Sequence, residues 1–377
     1  MTTSDATHAP TPPTEASPTD DRRGAAPAGR AGHTKPVPPR NVVRQVLGNR
    51  STTMLLLLLV VTAVFASTQD SFLSGSTIRL MLLSSSVLFV TAIGLTFVLL
   101  AGGFDLSIGA LLTLSGYIFA WLINSFDMPA VAAMACTVAF GVVVAGVTNG
   151  LLIGRLKLSF MVVTLGTMTL FAGLAKLISL ASQPILGGSG QADFLQYTFY
   201  QGAILGIPSP VVVCIIVFVI AAFVLRFTLF GRDVHAVGGN PAAAKLSGIN
   251  VSWTIVAVYA IAGGSAALAS VISSSITSSA INTAGDTVML QAAAAVLVGG
   301  TSLRGGSGTV TGTAIGVLFF AVLHQGLQHY NTAWEQIISG AIVAGAALAD
   351  KVQREGWASL EIRRPALFSR PGPKATA

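Results

Sequence analysis

The chain has 377 residues, of which 9% are charged and 53% hydrophobic, with a mean hydropathy of +0.75. A soluble domain carries about a quarter charged residues, so this composition excludes a soluble enzyme and leaves an all-α polytopic membrane protein. The net charge of +7 sits mainly in the tails, with seven Lys/Arg against four acids in residues 1–50 and six against two in 351–377; this reads as membrane orientation rather than a nucleic-acid surface.

Residues 1–40 contain eight prolines and almost no bulky apolar side chains, so residues 1–50 are expected to be a disordered, basic, cytoplasmic leader. The first apolar run, Met54 to Ala66, ends in Val64-Phe65-Ala66, which has the form of a signal-cleavage site. The long polar leader favours an uncleaved first span. Further spans are expected at about 79–100, 106–123, 129–153, 159–181, 209–229, 252–275, 288–303, 309–330 and 333–350. About ten transmembrane helices result, and 288–303 is short enough to be broken or re-entrant. The membrane domain then covers 51–350, with a basic cytoplasmic tail at 351–377.

With both ends of the chain inside, Arg155, Lys157, Arg226, Arg232, Lys245, Arg304, Lys351 and Arg354 fall on the cytoplasmic side. Asp70, Asp127, Asp193, Asp286 and Glu335 fall outside. Arg79 breaks this pattern. The longest outer segment, 182–208, opens on Gln183-Pro-Ile-Leu-Gly-Gly-Ser-Gly190 and closes on Pro208 and Pro210. It reads either as a surface for an external partner or as a connector. Gly146, Gly150 and Gly154 form one small-residue ridge, and Gly308, Gly312 and Gly316 a second, at the spacing that lets helices approach closely in lipid.

A few polar residues stand in apolar surroundings. Asp105 lies in Ala101-Gly-Gly-Phe-Asp-Leu-Ser-Ile-Gly109, where the glycines allow a helix break that Asp105 or Ser107 can cap; contact with a transport path is the alternative. Lys176 either snorkels or faces a polar cavity. Gln291, Thr301 and Ser302 are weaker path candidates. Cys136 and Cys214 show no disulfide or zinc pattern, and His324 and His329, five residues apart, do not form a metal pair. Gly239 to Leu246 lacks the second glycine and the Ser/Thr of a phosphate-binding loop, so the chain is expected to bind no ATP of its own and to be no enzyme.

Between two apolar runs lies the polar stretch Gly231 to Val251. Its middle is expected to form a short surface helix, with Asn240 as N-cap, Pro241 in the first helical position, and Gly248 as stop.

Three stretches, Gly102-Gly-Phe-Asp-Leu-Ser-Ile-Gly109, Ala236-Val-Gly-Gly-Asn-Pro-Ala-Ala-Ala-Lys-Leu-Ser-Gly-Ile-Asn250 and Ala293-Ala-Ala-Val-Leu-Val-Gly-Gly-Thr-Ser-Leu-Arg-Gly-Gly-Ser-Gly308, together resemble the permease subunits of bacterial ribose/xylose-type ABC sugar importers over about residues 79–350. The resemblance implies a bacterial cytoplasmic-membrane protein that imports a monosaccharide. It further implies a second permease copy, an external sugar-binding protein, and a cytoplasmic ATPase with two cassettes that holds the ATP and Mg. The coupling helix would be Gly238, Gly239, Asn240, Pro241, Ala242, Ala243, Ala244, Lys245, Leu246, Ser247 and Gly248. This chain departs from the pattern at Ala242 or Ala243, where an acid is common, at Gln291, where an Asp is frequent, and at Phe104, where Ile is more usual. A branched-chain amino-acid permease and an ion-coupled secondary carrier are the alternative readings.

Overall fold

The structure is a computed structural model that describes residues 50–181, 186, 190–195, 197, 201–280 and 284–328, with scattered positions between 334 and 348. It is helical almost throughout, as the composition requires. In chain order the helices are α1 (Arg50–Thr68), α2 (Gly75–Leu100), α3 (Ile108–Phe126) and α4 (Ala130–Ala145). A π-helical segment, Gly146–Gly150, carries α4 into α5 (Leu151–Gly154). Then come α6 (Phe160–Ala181), α7 (Gly190–Leu195), α8 (Ser209–Phe227), α9 (Leu229–Gly239), α10 (Pro241–Leu246), α11 (Val251–Thr277), α12 (Ala284–Val298) and α13 (Val310–Leu327).

Seven helices among the described residues are long and apolar enough to cross a bilayer, and α1 and α12 contribute shorter apolar stretches. The expected span at 333–350 lies largely outside the described residues, as do the leader and the C-terminal tail.

The core is built on α2 and α11. Both are apolar around most of their circumference, as a helix buried on all sides must be; Leu95, Val98, Leu99 and Leu100 of α2 and Ala262, Ala266, Val271 and Ile272 of α11 are fully enclosed. Small residues let the backbones close in. Gly141 meets Gly263, and Gly146, Gly150 and Gly154 face Ala260, Val256 and Ser252 in turn, an antiparallel ridge at the expected spacing. The second expected ridge is only partly formed. Gly312 and Gly316 pack on Gly299 and Ala295, but Gly308, at φ +155°, precedes α13 and closes on the Thr301 side chain instead.

The short run expected at 288–303 is the helix α12, which starts earlier and ends at Val298. At 15 residues it spans about 22 Å, less than the roughly 30 Å of hydrocarbon. Its entry explains the deficit. Ala280 lies beside Gly116, whereas Gly285 lies against Gly109, so the chain descends about two turns along α3 before α12 begins. The close approach of Gly109 and Gly285 fixes the start of α12 on α3.

In the segment expected to lie outside, Ala203–Ile204 and Ile207–Pro208 form a two-residue hairpin. Leu205 and Gly206 at its tip have φ +55° and +82°, the paired positive values of a type I′ turn.

Candidate functional site at the glycine-rich end of the bundle

The three glycine-bearing stretches are far apart in sequence and meet at one end of the bundle. Gly238, the penultimate residue of α9, is pressed onto the Leu100 carbonyl where α2 stops and onto the backbone of Gly306. Gly306 N donates to that same carbonyl at 2.8 Å. Gly102, at φ +82°, and Gly305, at φ +86°, complete the knot, each adopting a conformation that a side chain disfavours. A Cβ at Gly238, Gly305 or Gly306 would displace backbone, whereas at Gly102 it is the positive φ that disfavours a side chain.

The stretch 231–251 is more ordered than the sequence suggests. Residues Leu229–Gly239 form α9, whose start is capped by Thr228 Oγ1 accepting from Gly231 N at 3.2 Å. Gly238 and Gly239 therefore belong to α9 and not to the surface helix after it. In that surface helix, α10, Asn240 Oδ1 accepts from Ala242 N at 3.1 Å and Ala243 N at 3.0 Å, and Pro241 holds the first position. Gly248 ends it at φ +85°. Only Ala244 is buried; Ala242, Ala243, Lys245 and Ser247 are exposed, and Leu246 is 91% exposed. An apolar side chain thus stands free on a short, capped helix.

Between α10 and the knot lies a cavity of about 320 Å³, lined by Gly102, Val237, Gly238, Pro241, Tyr259 and Arg304 among others. Arg304 belongs to the loop 299–309, which closes on itself through Ser302 N donating to Ser307 O at 2.9 Å and Arg304 N donating to Ser302 Oγ at 3.1 Å. The Arg155 guanidinium lies 4.8 Å from the Trp253 ring centroid at the start of α11, a cation–π contact at the same end.

Of the polar candidates, Asp105 and Ser107 are buried, at 1% and 0% exposure. Asp105 Oδ1 accepts from Ser107 N at 2.8 Å and Ser107 Oγ at 2.6 Å. The carboxylate therefore makes the capping contacts ahead of α3, and the Ser107 side chain makes no cap bond of its own. Tyr259 donates to the Phe104 carbonyl at 3.1 Å, two turns into α11, so the 101–107 loop is anchored inside the bundle. Thr301 is buried, its hydroxyl without a hydrogen-bond partner, and Gln291 is half-buried. Lys176 is exposed on the outer face of α6, away from this cluster.

Two residues absent from the sequence-based candidates join Asp105. Asn149 Nδ2 donates to Ser107 Oγ at 2.7 Å, and Thr167 Oγ1 donates to Asn149 Oδ1 at 2.8 Å. Asn149 is the sole amide or charged side chain in 130–154, and that isolation was the available signal.

Comparison with known proteins adds to this geometry. The sequence pattern of the family described as branched-chain amino acid transport system / permease component matches residues 77–347. The ribose import permease protein RbsC of Haemophilus influenzae is 37% identical, covering 77% of this chain and 90% of that protein. Its Bacillus subtilis counterpart is 38% identical, over 78% and 91%. The D-allose transport system permease protein AlsC of Escherichia coli is 33% identical, over 78% and 89%. No solved structure matches the chain.

Proposed function

The chain belongs to the branched-chain amino acid transport system / permease component family, and we propose that within it this protein is the membrane subunit of an ABC importer that takes up a monosaccharide of the ribose type. The observation that carries this reading is the capped helix α10, with Leu246 free on its surface and Gly238 just before it locked onto the ends of α2 and the 299–309 loop. A short helix rigidly tied to several membrane-spanning elements can pass a push from a docked partner into the bundle.

That partner is a two-cassette ATPase, which supplies ATP and Mg; this chain contributes no phosphate-binding loop. Docking on α10 makes the glycine-rich end cytoplasmic, in keeping with the concentration of Arg155, Lys157, Arg226, Arg232, Lys245 and Arg304 in the loops and helix ends on that side. Both chain termini then lie inside a bacterial cytoplasmic membrane. An external binding protein delivers the sugar at the opposite end, and a second permease copy completes the path.

Sugar is favoured over a branched-chain amino acid by the names of the relatives, which import ribose or transport allose. A proton-coupled carrier is disfavoured because such carriers relay protons through acidic side chains within the membrane. Asp105 is enclosed and engaged by Ser107.

The reading is tested by purifying the tagged protein from its native cells in mild detergent and identifying what accompanies it. Recovery of a two-cassette ATPase, lost on Leu246→Asp, is the expected result. Recovery of the chain alone, with substrate movement in liposomes driven by an ion gradient, overturns it.

A further inference from the structure

The Asp105–Ser107–Asn149–Thr167 chain of hydrogen bonds lies wholly inside the bundle and joins three separate segments: the 101–107 loop, the π-helical segment after α4, and α6. Asn149 and Thr167 are 0% and 6% exposed. The π segment is where Asn149 sits. A π turn inserts a residue and rotates the helix beyond it. Leu151 N donates to Gly146 O across the π turn, and Gly141, Gly146, Gly150 and Gly154 all face α11, so small residues line that contact on both sides of the turn while Asn149 faces Ser107.

Adhesion alone does not require this arrangement. The α4–α11 contact is already made by glycines, and polar side chains are costly to place inside a membrane protein unless fully paired. What the amide adds is direction. It accepts from Thr167 at one end and donates to Ser107 at the other, fixing α6 in register with the loop.

The loop's other end is the glycine knot, where Gly102 crosses Gly238 just before α10. Beyond Thr167, the next turn of α6 places Met168, Thr169 and Ala172 on the wall of a cavity of about 210 Å³, shared with Leu106, Gly109 and Gly285. We propose that Asn149 and Thr167 are positioning residues of the transport cycle: with Ser107 and Asp105 they form a buried polar latch that carries displacement of the α10 end to the α6 wall of that cavity. This rests on the importer reading above.

The test uses the full complex with its ATPase in lipid vesicles. A single thiol is introduced as Thr169→Cys in a Cys136→Ser, Cys214→Ala background, and its rate of labelling by a water-soluble maleimide is measured with and without Mg-ATP plus vanadate. ATP hydrolysis is followed in parallel. With Thr167 intact, the nucleotide is expected to change the labelling rate at least fivefold. Thr167→Val, which keeps the shape and removes the hydroxyl, reduces that change below twofold while hydrolysis stays within twofold. Thr167→Ser, which keeps the hydroxyl, preserves the change. Asn149→Leu behaves as Thr167→Val, and combining the two is no worse than either.

A full nucleotide response in Thr167→Val, or loss of response and hydrolysis in equal proportion, overturns the latch. So does a labelling rate that ignores nucleotide with Thr167 intact while hydrolysis proceeds. Absence of any ATPase from the purified complex counts against the importer reading instead. If Asn149→Leu fails to assemble, the Thr167→Val and Thr167→Ser pair decides alone.

Discussion

Gly238 rests directly on the carbonyl oxygen of Leu100, and that oxygen also accepts the amide of Gly306. A methyl group at 238 has nowhere to go without parting α9 from α2. A side chain on Gly239, one residue on, would point into open space, with nothing within 4 Å of its Cβ. We therefore expect Gly238→Ala to destabilise the folded protein by about 1–3 kcal/mol, and Gly239→Ala to change stability by no more than about 0.5 kcal/mol. Thermal unfolding in mild detergent distinguishes the two. Equal behaviour of the pair contradicts the close crossing.

The cap on α10 makes a second prediction. A helix of six residues cannot hold itself in water, and Asn240 satisfies two of its free amides. Replacing Asn240 with Ala is expected to cost about 0.5–2 kcal/mol of local helix stability. Amide exchange at Ala243 to Leu246 should accelerate accordingly, while the membrane-spanning helices keep their protection. Uptake through the importer should fall with it, since the surface that carries Leu246 loses its shape.

The membrane-spanning architecture was legible because lipid imposes long apolar runs, and the runs at 209–229 and 252–275 appear as α8 and α11 within two residues at each end. Asn240, Pro241 and Gly248 were legible for a similar reason, since local capping chemistry needs no tertiary context. The three glycine stretches could be seen, but their meeting could not, because backbone-to-backbone crossings leave no periodic mark. Residues 231–239 read as loop because their glycines lower helix propensity. Tertiary contact overrides that cost, since Gly231 packs on the Val224 and Leu225 carbonyls and Gly238 on that of Leu100. Asn149 was overlooked because one amide in an apolar run carries no spacing to analyse. Its role depends on Ser107, 42 residues away, and on Thr167.

The hairpin tip carries strain that can be relieved. Leu205 adopts φ +55° with its side chain 97% exposed. It therefore bears the left-handed penalty of about 1–2 kcal/mol with little burial to offset it. Type I′ turns favour Asn or Asp followed by Gly, and Gly206 is already in place. Leu205→Asn is expected to stabilise the Ala203–Pro208 hairpin by about 0.5–1 kcal/mol, seen as slower amide exchange at Ile204 and Ile207. Faster exchange would count against the turn geometry.

The α4–α11 crossing supplies the last prediction. A Cβ on Gly141 meets the Gly263 carbonyl, and a Cβ on Gly263 meets the Gly141 carbonyl and the Ala145 side chain. The two substitutions therefore demand the same movement, separation of one helix pair. Gly141→Ala and Gly263→Ala should each cost about 1–3 kcal/mol. The double variant should cost less than their sum, by about 0.5–3 kcal/mol, because a gap opened for one methyl accommodates the other. Gly166→Ala on α6, where nothing lies within 4 Å, is the control and should stabilise by about 0.5–1 kcal/mol through helix propensity alone. Strict additivity would mean that each methyl is absorbed locally by side-chain adjustment. In lipid, where close packing supplies the attraction between helices, that result would remove the argument that these glycines fix the separation of α4 and α11.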